Sequence, residues 1–167
     1  MPELIPWFLV LHLLGAIIAF GPSFSFPIIG AMGAADRTHA NFATRVSHAI
    51  STKRQIPVAL TMPVTGIGLI WSAGIDVFSR SARWLELGIV LYVVLFTYAV
   101  RVQIPTTQRI IDMTSAPPAE ASPGAAPSGP PPALMALIGK VQRGGMFLAA
   151  TIVVIVFLMV VKPDFGF

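Results

Sequence analysis

Cysteine is absent from the 167 residues, which excludes disulfides, thiolate metal sites and thiol nucleophiles together. Charge is also scarce. Only 11% of residues are Asp, Glu, Lys or Arg, against about a quarter in an average soluble domain. Glycine-rich phosphate loops, His-Glu-x-x-His patterns and paired carboxylates do not occur either. A water-facing globule and the common hydrolytic or nucleotide-binding designs are therefore poor descriptions of this chain.

What is present is 55% hydrophobic, arranged as long apolar runs with the charges pushed between them. About 20 apolar residues cross the hydrocarbon core as a helix, and backbone polar groups there must be satisfied within the segment. Four spans follow, over residues 4–29, 56–73, 84–104 and 134–161. The fourth has its uncharged part only from Met146, so its helix is expected to begin near Ala133, with Lys140 and Arg143 reaching back to the head groups. Pro22 and Pro27 should kink or end the first span. Met1-Pro2-Glu3 carries no positive charge, and the run behind it exceeds a signal-peptide core, so it reads as a retained span. The fold class is an all-α, polytopic membrane protein: one domain over residues 1–167, a four-helix bundle with a short interfacial helix.

That extra helix is residues 41–54, where Phe42, Val46, Ala49 and Ile50 share one face and Arg45 and His48 lie on the other. Pro57 should bend or break its junction with the second span. Residues 115–133 form a Pro/Ala/Gly/Ser linker holding seven of the 15 prolines, a composition that cannot build a core. No internal duplication is convincing.

Orientation follows from the basic residues. The first connection holds Arg37, Arg45, Lys53 and Arg54, and the third holds or borders Arg101, Arg109, Lys140 and Arg143. Only Arg80, Arg83 and Lys162 lie on the other side. Eight against three puts both long connections in the cytoplasm, with both termini facing outward. Trp7, Trp71 and Trp84 fall at the outer boundary, where interfacial tryptophans belong. The net charge of +4 is thereby explained by topology and anionic lipid, not by nucleic acid. The expected partners are the bilayer, and other membrane subunits or further copies of the chain.

One ionisable side chain stands inside a span. His12 is the only such residue between Leu4 and Ile29, and an ionisable group at that depth points to function. At about 1.5 Å of rise per residue, Thr65 and Tyr92 fall in the same layer, so His12, Thr65 and Tyr92 form the candidate site. Small residues at helical spacing, Gly15, Ala16, Ala19 and Ser23, face Thr61, Thr65, Gly68 and Ser72 on the second span. These stripes either pack the two spans or leave room for a flat cofactor. Three readings of His12 stay open: a satisfied interior residue, an axial metal ligand to a b-type haem, or a proton relay on a small-molecule path.

Leu11-His12-Leu13-Leu14-Gly15, running on to Phe20-Gly21-Pro22, together with the closing Leu158-Met159-Val160-Val161-Lys162-Pro163, resembles a bacterial family of four-helix membrane proteins of unknown function. More distantly, His12, Thr61-Met62-Pro63 with Gly66, and Val161-Lys162-Pro163 resemble the copper-resistance D proteins and the four-helix membrane protoporphyrinogen oxidase. The oxidase resemblance implies a porphyrin site using the first-helix histidine with a third-helix lysine. The third span here has no lysine; its polar residues short of the basic end are Glu86, Tyr92 and Tyr98. The expectation is an accessory membrane subunit without catalytic machinery, with haem binding through His12 as the alternative. Solute transport is a third reading, and no repeated broken helices or intramembrane acidic residues favour it.

Overall fold

The structure, a computed structural model, describes residues 1–36, 38–115 and 130–165. Four long helices carry nearly all of them: α1 (Pro2–Ala35), α2 (Ala40–Ala73), α3 (Arg80–Ser115) and α4 (Pro132–Val161), each long and apolar enough to cross a membrane. No strand occurs among the described residues. Arg37 and most of the proline-rich linker, residues 116–129, lie outside the described residues.

The helices are longer than the apolar runs that predict them. A helix of 36 residues such as α3 measures about 54 Å, more than the roughly 40–45 Å of a bilayer with its head groups. The excess lies at the basic end. There the Phe26–Ala35 part of α1, the Ala40–Ile50 part of α2 and the Ile104–Ser115 part of α3 pack on one another and on α4. The segment expected as a separate interfacial helix is helical, but it runs without a break into the second span.

Proline explains why the breaks differ from expectation. In α1 a tighter 3-10 turn, Gly21–Phe24, contains Pro22, and the helix then resumes to Ala35. Pro22 therefore kinks the first span without ending it. In α2 a widened π turn, Ser51–Gln55, immediately precedes Ile56-Pro57. The missing N–H and the ring of Pro57 would clash with a regular turn. The extra residue of the wide turn absorbs both, and the helix continues through the expected break.

Packing is pairwise. α1 lies along the Met62–Ala73 part of α2, and the Arg83–Tyr98 part of α3 lies along α4. Contacts between the two pairs concentrate at the basic end. At the other end Lys162 closes α4 in a left-handed conformation, φ 49°, its N–H bonded to Leu158. Its ammonium stands 5.4 Å from the centre of the Trp84 ring, a cation–π contact that ties the end of α4 to the start of α3.

Candidate functional site

The α1–α2 interface is built rung by rung. At Gly68 a Cβ would run into the Phe8 ring, and at Gly15 it would lie 2.8 Å from the Met62 sulfur. Between these two close approaches sits His12, its ring in van der Waals contact with the space a Cβ on Gly66 would fill. Small residues let membrane helices approach to this distance, and dispersion contacts then hold them. Phe8 and Met62 occupy the room that the glycines leave. At these rungs the stripes pack the helices.

His12 Nδ1 lies 2.9 Å from Thr65 Oγ1. The hydroxyl has one proton, and Thr65 directs it to the backbone, donating to the Met62 carbonyl at 3.1 Å. Its lone pairs are then left to accept from Nδ1–H. Nε2 carries no hydrogen bond among the described residues and is not buried. An imidazole oriented through one nitrogen and open at the other is the arrangement metal-binding histidines use.

Tyr92 is not brought to this group. Its hydroxyl donates to the Ala59 carbonyl at 2.7 Å, six residues from Thr65 toward the basic end. The reason lies in Pro63, four residues after Ala59. A regular helix would bond the Ala59 carbonyl to the N–H of residue 63, which proline lacks. In lipid an orphaned carbonyl must find another donor, and Tyr92 supplies it from α3. The sequence reading placed Tyr92 by depth alone, whereas the demand of that carbonyl decides where its hydroxyl goes. The signal was present as Pro63 itself.

Two further polar groups inside the bundle went unnoticed in the sequence. Buried Gln55 donates from Nε2 to the Ala19 carbonyl (2.8 Å) and to Ser23 Oγ (2.9 Å), at the kink of α1. Gln103 donates from Nε2 to the Val141 carbonyl of α4 at 3.0 Å. Each closes a π turn, Ser51–Gln55 in α2 and Ala99–Gln103 in α3, and each is followed by Ile and Pro. The repeated Gln-Ile-Pro at 55–57 and 103–105 was the available sign, hidden because it is short and its two copies run in opposite directions. Of the other histidines, His39 binds the carboxylate of Asp36 at 2.8 Å in the α1–α2 turn, and His48 lies at the basic end of α2. The described residues contain no group of three His, Cys, Asp or Glu side chains able to hold a metal ion.

These features define a class: a four-helix polytopic membrane protein whose helices pair through glycine contacts and buried amide clasps. Residues 7–163 match the family described as Predicted integral membrane protein (DUF2269), and the chain belongs to that family. No curated protein and no solved structure matches it. The likeness to copper-resistance D proteins and to the membrane oxidase thus rests on the few residues quoted for it.

Proposed function

We propose that the protein is an accessory subunit of a bacterial inner-membrane assembly, without chemistry of its own, oriented with its basic end in the cytoplasm and both termini outside. One observation carries this reading. Four polar side chains bond to neighbouring helices: His12 to Thr65, Tyr92 to Ala59, Gln55 to Ala19 and Ser23, Gln103 to Val141. Large apolar side chains such as Ile17, Val64, Val93 and Val156 meanwhile face outward on all four helices, where lipid or another membrane protein covers them. Gentle solubilisation from native membranes tests it. Co-purification with other membrane proteins, or as a homo-oligomer, is the expected result; a lone monomer at every detergent concentration overturns it. The basic excess at one end supports the orientation, and reporter fusions to both termini check it.

A second reading is favoured by the accessible Nε2 of His12: a single axial ligand to a haem bound against the outer side of the α1–α2 pair. Absorbance of protein purified from haem-replete cells decides it. A Soret band that vanishes in His12→Phe is required, and its absence from the unaltered protein removes the reading.

A further inference from the structure

At the basic end an apolar stripe stands too far out to be covered by lipid. Phe42, Val46 and Ala49, with Asn41 and Arg45, line a groove of ≈ 400 Å³ along the Ala40–Ile50 part of α2. The Phe42 side chain is 66% exposed. Phe42 precedes Ile56, the first residue of the second apolar run, by 14 positions, about 21 Å of helix. The polar layer of a bilayer is only roughly 5–8 Å deep on each side, so the groove opens to water beyond it. Clustered apolar surface exposed to water marks an interaction site.

The chain itself passes the rim of this groove. α3 ends at Ser115, and Asn41 donates from Nδ2 to Ser115 Oγ at 3.1 Å and to Thr114 Oγ1 at 2.7 Å. The next six residues of the sequence are Ala116-Pro117-Pro118-Ala119-Glu120-Ala121. A segment tethered this close acts at an effective concentration on the order of mM, an advantage no separate partner has. Length is no obstacle. Five residues extend about 15 Å at 3.1 Å each, whereas Asn41 to Arg45 is about 6 Å along α2. Ten residues, 122–131, then remain before α4 begins at Pro132.

Shape chemistry and charge both match that segment. Proline-rich sequences dock on grooves that carry an aromatic ring, because proline is apolar and its backbone is ordered in advance. Here Pro117 and Pro118 follow Ser115 by two and three positions. Arg45 forms no ion pair or hydrogen bond among the described residues. Glu120 is the only acidic side chain between Asp112 and Asp164. The groove thus offers an aromatic ring and then a cation, and the segment offers prolines and then a carboxylate.

We propose that residues 116–121 are the occupant of this groove: the two proline rings cover Phe42 and Val46, and the Glu120 carboxylate pairs with the Arg45 guanidinium. The contact belongs to the chain alone, whichever side of the membrane its basic end faces. Because the sequence has no cysteine, an introduced pair supplies the only thiols. Full-length protein in detergent is prepared with Ala49→Cys and Ala121→Cys, and separately with Met32→Cys and Ala121→Cys. Met32 is exposed on α1 at the same end. Oxidation should join the first pair within one chain at least about ten-fold faster than the second, since a disulfide needs its two Cα atoms within about 7 Å.

In the Ala49–Ala121 pair, Arg45→Glu should slow the joining a few-fold, and adding Glu120→Lys should restore it. Without thiols, cleavage after Glu120 by a glutamate-specific protease reads the same contact, because cleavage follows the open population. Phe42→Ser should speed that cleavage about ten-fold. Phe42 and Arg45 are both exposed, so these variants keep the bundle, which the melting temperature checks. Equal joining of the two pairs, no rescue by the exchanged charges, or cleavage indifferent to Phe42 overturns the proposal. Disulfides formed between chains and not within one overturn it as well, and give the groove to the segment of a second copy.

Discussion

The two helix pairs solve one packing problem with nearly the same parts. In α1–α2 a methionine sulfur rests on a glycine, Met62 on Gly15; in α3–α4 the methyl of Met159 rests on Gly88. Each pair has a glutamine clasp toward the basic end, Gln55 and Gln103. They differ in the middle. Where α1–α2 places an imidazole against a threonine hydroxyl, α3–α4 has buried Leu95 and Ile152. Close helix pairing in this protein therefore does not require a histidine.

The largest test of the shared parts is steric. Gly68→Leu drives a side chain into the Phe8 ring, and Gly144→Leu drives one into Gln103 and Tyr98. Each should cost about 1–3 kcal/mol or more, read as a lowered melting temperature in detergent. Gly30→Leu, where a Cβ meets open space, should leave the melt in place. If only one of the first two substitutions destabilises, the equivalence of the pairs fails.

Next comes the bond that joins the pairs. Tyr92→Phe leaves the Ala59 carbonyl without a donor, at about 1–3 kcal/mol. Pro63→Ala returns a backbone N–H to that carbonyl, so the double variant should recover most of the loss. A strictly additive cycle would show that Tyr92 serves something other than the proline's orphan.

Smaller effects separate the clasps. Interhelical hydrogen bonds in membranes average about 0.6 kcal/mol. Gln55→Leu, which removes two bonds to α1 and one from Ser51 within α2, should destabilise more than Gln103→Leu, which removes one; equal losses would refute the count. The smallest effect belongs to the exposed α1–α2 turn. Hydrogen bonds, first from the Thr38 hydroxyl and then from His39, hold the Asp36 carboxyl below its ordinary value. A lowered folded-state value means the turn's contribution is present above the ordinary carboxylate range and is lost as pH falls through the lowered one. The protection factors of the Thr38 and His39 amides, corrected for the intrinsic pH dependence of exchange, should fall on acidification in the parent and stay level in Asp36→Asn.

Much of the fold was legible because lipid leaves so few options. Runs such as residues 84–104, nearly free of charge, can only be helices in a bilayer, and counting residues inward from the boundary put His12 level with Thr65. What escaped was set by local backbone demands that a 3.6-residue period does not record. Pro57 reads as a break until the extra residue of the turn at Ser51–Gln55 is seen. Gln55 and Gln103 stand among basic residues and read as surface, yet each reaches a carbonyl on a neighbouring helix. Tyr92 followed the carbonyl that Pro63 left bare. For Tyr92 the partner is chosen by where proline disturbs the backbone.

The two π turns have a joint consequence. Asn41 meets Thr114 and Tyr92 meets Ala59, which fixes the register of α2 against α3 and brings Ser51–Gln55 level with Ala99–Gln103. Two adjacent helices thus each carry one extra residue per turn at the same altitude, where the apolar spans meet the cationic end. Both widened turns sit directly before an Ile-Pro pair, so the same backbone device lets each helix pass its proline and run on as one rod.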